Sequence, residues 1–146
     1  MTAHERSVFL PETVHRRTRD VVLAALEARS DPAKFAQYFH EDGVLHIIGR
    51  VCDYSLSGVF RGREQILNLF RRIDAEVICS ERTILGLVIE DGKAALRRSV
   101  VVRHRGTSAS AKLIFADMVK VRGDKISEMF EYADTAWLKR LSGDED

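Results

Sequence analysis

Four stretches in the second half of the chain limit its fold more than anything else: Val77 to Ile89, Ala94 to His104, Ala111 to Val121 and Ile126 to Ala133. Their apolar residues recur with a period of about two, the spacing of half-buried strands. They are separated by Asp91-Gly92, by Gly106-Thr107-Ser108 and by Gly123-Asp124. Connections that short join antiparallel neighbours, so the four strands form a meander.

Helical spacing dominates before them. From Pro11 to about Arg29 the residues Val14, Val21, Val22, Ala25 and Leu26 fall on one stripe. Asp31-Pro32 supplies a capping side chain and a proline at the first helical position, which opens a short second helix through Phe35, Ala36, Tyr38 and Phe39, ended by Asp42-Gly43. Val44 to Ile48 is a brief strand, Gly49 to Ser57 a polar connection, and Ser57 to Ile66 a glycine-punctuated turn. That turn runs into a third helix over Arg63 to Ala75, with Ile66, Leu67, Phe70 and Ile73 on one face. Helices first and sheet afterwards is an α+β order, with the helices covering one face of a strongly curved sheet.

At 146 residues the chain has the length of a single domain, here residues 1–146, with a frayed acidic tail expected over Gly143 to Asp146. Twenty-three Lys and Arg against 22 Asp and Glu give a net charge of +1, too small a field to draw in nucleic acid. The charged start, Met1 to Arg6, precedes no apolar signal region, and no later run spans a bilayer, so no membrane association and a cytoplasmic location are expected. Cys52 and Cys79 have no partner at zinc-site spacing and are read as free thiols. No metal or other cofactor is expected. His40-Glu41-Asp42, three adjacent positions at a helix end, do not converge on one ion.

Asp117 is the first candidate for chemistry. Leu113, Phe115, Val119 and Val121 share its face by strand alternation, and a carboxylate on an apolar face must be paired, be protonated, or be used for proton transfer. A four-residue loop from Gly106 to Ala109 puts Arg98 directly across from it, whereas a loop one residue different puts the two on opposite faces. Glu131 depends on the next turn: a two-residue loop pairs Asp117 with Phe130 and turns Glu131 away, and a three-residue loop returns Glu131 to Asp117's face. His46, between apolar neighbours in Val44 to Ile48, is either a proton shuttle or a satisfied rim residue. Tyr38 and Tyr54 are candidate hydrogen-bond donors to a ligand, with helix packing the simpler account of Tyr38.

Several segments in this order resemble the SnoaL-like branch of the nuclear transport factor 2-like superfamily, which includes ketosteroid isomerases, polyketide cyclases and limonene epoxide hydrolase. They are His46-Ile47-Ile48-Gly49, Gly58 to Ile66, Ala116 to Val121 with Lys125-Ile126, and Glu128 to Asp134, and the match covers about residues 14 to 138. The resemblance implies a cone-shaped, curved antiparallel sheet wrapped around three N-terminal helices, a cystatin-like α+β barrel. It also implies a pocket for a small apolar molecule and a homodimer formed through the sheet.

Asp117 is similar to the protonated oxyanion-hole aspartate of the isomerases and the acid/base aspartate of the cyclases. The isomerase's proton-abstracting carboxylate falls near Ile47, where there is no acid, so steroid isomerisation is not implied. Arg98 and Glu131 resemble the arginine and one acid of the epoxide hydrolase, but Val100 stands at its other acid. The same alignment turns Met129, Glu131 and Ala133 toward the cavity, against the two-residue count.

The expectation is a SnoaL-like domain that binds a small, largely apolar carbonyl or ring compound, any catalysis being cofactor-free acid/base isomerisation or cyclisation. In it Asp117 is the proton donor or acceptor, Arg98 its tuner or an oxyanion stabiliser, and His46 a further polar group of the catalytic set. Tyr38, Glu131, Phe115, Met129 and Val100 contact the ligand. The alternatives are a non-catalytic binding or dimerisation module, and a hydrolase using a water held between Asp117 and Glu131.

Overall fold

The computed structural model describes the backbone of residues 3–143 and the side chains of residues 12–143. The expected acidic tail beyond Gly143 and the first two residues of the charged start lie outside it. Helix α1 (Ala3–Glu27) begins earlier than Pro11 and buries Thr18, Val21, Val22 and Ala25. It passes through a 3-10 turn (Ala28–Ser30) into α2 (Pro32–Ala36), where the Asp31 side chain accepts a 3.2 Å hydrogen bond from the Lys34 amide.

Helix α2 stops short of its expected end at Asp42-Gly43. Phe39 instead enters the core as the first residue of strand β1 (Phe39–Ile48), so His40-Glu41-Asp42 belong to a strand and not to a helix end. The connection ends in a strand, β2 (Gly58–Arg61), where the glycines suggest only a turn. Gly62 opens α3 (Gly62–Glu76) at a φ of +82°, a left-handed value that a residue with a Cβ rarely adopts. The Arg61 amide donates to Gln65 Oε1 at 2.8 Å, which occupies a backbone donor at the start of the helix.

The meander follows as β3 (Val77–Glu90), β4 (Lys93–His104), β5 (Ser110–Arg122) and β6 (Lys125–Tyr132). A short helix that the sequence did not announce, α4 (Thr135–Leu141), is capped by the Asp134 side chain on the Trp137 amide. The six strands form one sheet in the order β2-β1-β6-β5-β4-β3. It is not wholly antiparallel, because β1 runs parallel to β6. Nor do all three helices precede it, since α3 follows β2. The larger core lies where α1, α2 and α3 meet the sheet, with Phe35 edge-on to both Phe39 and Phe70. Leu141 of α4 closes a second cluster on Val100, Val102, Leu113 and Phe115. On the opposite face of β5 and β6, Ile114, Met118 and Tyr132 are exposed.

Two registers decide what the interior contains. The β4–β5 connection is longer than four residues: Arg103 pairs with Ser110, which moves Arg98 opposite Phe115 and Leu96 opposite Asp117. The shift is an even number of residues, so Arg98 and Asp117 keep one face and meet diagonally. The β5–β6 turn is the two-residue one, with Arg122 paired to Lys125 and Gly123 at a φ of +65°. A β-bulge follows at once, because Val121 pairs with Ile126 but Lys120 pairs with Glu128. Ser127 is the extra residue, and its insertion reverses the alternation beyond it. Glu131 thereby lands directly opposite Asp117, and Met129 turns inward.

Candidate ligand cavity

The site is built on three interior-facing strand residues and one arginine from the end of α1. Arg98 donates from Nε to Asp117 Oδ2 at 2.7 Å and from Nη2 to Asp117 Oδ1 at 3.3 Å. The same Nη2 donates to Glu131 Oε1 at 2.6 Å. Arg29, just past α1, donates from Nη2 to the same Glu131 oxygen, also at 2.6 Å. Its guanidinium carbon sits 4.0 Å from the centre of the Phe70 ring and 4.8 Å from that of Phe35, while Arg98 stacks over Phe115 at 4.7 Å. Aromatic faces suit buried arginines, since a guanidinium is weakly hydrated and attracted by the ring quadrupole.

The four ionic side chains run in the order Asp117, Arg98, Glu131, Arg29 and are at most 10% exposed. Burial pushes the Asp117 carboxyl above the ordinary 3.8, and the pull of Arg98 does not cancel that. Burial would raise Glu131 as well, but the charges and hydrogen bonds of Arg29 and Arg98 outweigh it and hold that carboxyl below the ordinary 4.5. The two neighbouring acids thus shift in opposite directions, and the two arginines favour the ionised form of Glu131.

A cavity of about 50 Å³ opens against this chain of charges. Glu131, Arg29, Arg82, Arg98 and Tyr54 belong to its polar wall, and Phe115 and Val100 to its apolar one. Burial and the nearby Glu131 carboxylate push the Tyr54 phenol up, so Tyr54 stays neutral and able to donate. Cys79 also lines the cavity, where burial raises its thiol and keeps it protonated.

Of the expected site residues, the fold brings Arg98, Asp117, Glu131, Phe115 and Val100 together, and all of these but Asp117 line the cavity. Asp117 has a side chain 0% exposed and sits behind Arg98, off the cavity wall. The acid on the cavity wall is Glu131. His46 is not part of the site: its neighbours Leu45 and Ile47 point inward, so its own ring lies on the outer face. There it stacks on Phe130 at 4.1 Å, with Nε2 3.0 Å from Glu128 Oε2. Met129 and Tyr38 pack in the main core instead of lining the cavity.

Arg29, in the sequence only the end of the first helical stripe, is the site residue no motif announces. A signal was present, because Arg29 continues the buried stripe of Val22 and Ala25 at helical spacing, where a charge is as anomalous as Asp117 is on its strand. Among the described residues no group of three or more His, Cys, Asp or Glu side chains could hold a metal ion, and no helix is long and apolar enough to cross a membrane.

Known proteins with this architecture are numerous and distant in sequence. An NTF2-like protein from Burkholderia xenovorans LB400 superposes with a TM-score of 0.76 at 20% identity, covering 88% of this chain and 97% of that one. A protein with a ketosteroid isomerase-like fold from Catenulispora acidiphila, in complex with trimethylamine, gives 0.72 at 20% identity, with coverages of 84% and 92%. A limonene epoxide hydrolase-like epoxide hydrolase from M. tuberculosis gives 0.66 at 18% identity, with coverages of 82% and 84%. These likenesses establish the cone-shaped fold. No functionally curated protein matches the chain. The family model described as the SnoaL-like domain matches residues 20–129, most of the chain and all of β1 to β5, and the protein belongs to the SnoaL-like domain family.

Proposed function

We propose that the cavity binds a small, largely apolar carbonyl compound and that Glu131 moves a proton on it without a cofactor. One observation carries this reading: Glu131 is a buried carboxylate on the cavity wall, held ionised by two arginines that both bond to its Oε1. Its other oxygen, Oε2, is engaged by neither. In the reaction Oε2 takes a proton from the carbon next to the carbonyl, and the C–H electrons move onto the carbonyl oxygen. The neutral Tyr54 phenol donates a hydrogen bond to that oxyanion, within the positive field of Arg29 and Arg98. Return of the proton to the same or a conjugated carbon gives exchange or isomerisation, with atoms and charge conserved.

Asp117 acts behind this wall. It orients Arg98 through two hydrogen bonds and touches no ligand. A water-splitting hydrolase is less well supported, because the position between Asp117 and Glu131 is taken by Arg98, bonded to both.

The test is exchange of the α-protons of cyclopentanone in deuterium oxide, followed by proton NMR. Wild-type protein accelerates it above the buffer rate, and Glu131→Gln, which keeps the shape and loses the base, lowers the catalysed rate by about 100-fold or more. Equal rates for the two proteins would contradict the assignment.

A further inference from the structure

The charges around the cavity are out of balance. Arg29, Arg82 and Arg98 all line the cavity, and all three also line a second cleft of about 310 Å³ between α1 and β3, together with Leu23, Leu26 and Ile84. Two buried carboxylates, Asp117 and Glu131, face these three cations. Arg98 is bonded to both of them. Arg29 uses Nη2 on Glu131, while its Nη1 is buried with no hydrogen-bond partner. Arg82 is exposed at the rim and makes no hydrogen bond or ion pair among the described residues, although the charges of Arg29 and Arg98 both bear on it. Two further acids are close. Asp74 lies within electrostatic reach of Arg29 and Arg82, and Glu27 is exposed on the cleft wall, but neither is bonded to either arginine. A buried N–H without an acceptor costs free energy that an arriving ligand recovers, and a planar guanidinium matches a carboxylate best.

We propose that the substrate is a small oxo acid, whose carboxylate is held by Arg29 Nη1 and Arg82 where cavity and cleft meet, and whose carbonyl reaches Tyr54 and Glu131. The inference rests on the cavity being the ligand site and adds the charge of the ligand. It accounts for three arginines around a reaction that needs one carboxylate. It also places the binding energy away from the reacting carbon, where it serves to orient the substrate.

The experiment compares 4-oxopentanoate with its neutral amide, 4-oxopentanamide, by NMR-monitored titration of the full chain. The acid binds more tightly than the amide by about tenfold or more. Arg82→Gln removes that preference without changing the affinity for the amide. Arg82 is exposed and bonded to nothing, so this variant melts at the wild-type temperature and its result reads binding alone. Ala133→Leu, which fills the cavity, weakens both compounds. Equal affinity for acid and amide, a preference that survives Arg82→Gln, or binding of neither compound overturns the carboxylate assignment. Equal binding that Ala133→Leu abolishes leaves the cavity standing as the ligand site. An Arg82-dependent preference that ignores Ala133→Leu means instead that the anion binds outside the cavity, and the cavity reading falls.

Discussion

A single charged residue on an apolar stripe is a demand for a partner, and this molecule contains three such demands that answer one another. Asp117 on β5 and Arg29 at the end of α1 are anomalous in the sequence itself, and Arg98 on β4 is the arginine that alternation can bring to Asp117. Removing the shared partner strands both acids. Arg98→Met leaves two buried carboxylates with Arg29 alone and lowers stability at neutral pH by about 3–5 kcal/mol, read from denaturant unfolding. The sign of its pH dependence follows from burial. In the wild type, the depressed Glu131 contributes stability that is present above 4.5 and lost as pH falls through its folded value. In the variant both carboxyls lose the pull of Arg98, so Asp117 rises further and Glu131, left with Arg29 alone, is less depressed, and the variant loses less stability than the wild type as pH falls. The gap between the two proteins narrows toward pH 4. A gap that widens in acid would show that Arg98 is not what keeps Glu131 charged.

Among the elements, β6 determines whether there is a site at all. The two-residue turn at Gly123-Asp124 was readable, and taken alone it sends Glu131 outward. The bulge at Ser127 reverses the outcome, and nothing in Ser127 itself announces an extra residue. The trace it leaves is in the pattern: Ile126, Met129 and Glu131 are buried, and no strict alternation holds all three. The bulge in β1 between Phe39 and Val44 hid the start of that strand in the same way, because a helical cap and a buried phenylalanine compete for one short segment. One further residue inserted between Ser127 and Glu128 should turn Met129 and Glu131 to the outside and abolish cooperative thermal unfolding. The same insertion within Gly123-Asp124 should lower the melting temperature by only a few degrees, since loops absorb length at small entropic cost. Equal effects at the two places would mean that the bulge does not fix the register.

At the scale of the whole molecule, the order of helices and meander strands and their turns were sufficient for the α+β class and, through the resemblance, for the SnoaL-like family. Parallel pairing of β1 with β6 was not legible, because it joins strands far apart in sequence with no local signal between them. The carboxylate facing the cavity was not legible from the turn counts, since it is set by registers on both sides of β5, and only the resemblance turned Glu131 inward. The account therefore turns on Glu131 and not Asp117 being the ionised group presented to a ligand. Carbon-13 NMR of the two side-chain carboxyls through a pH titration measures this directly. Glu131 should titrate below 4.5 and Asp117 above 3.8. A Glu131 carboxyl that titrates above 4.5 and is still protonated near neutrality would make Glu131 an acid in place of a base and contradict the proposed chemistry.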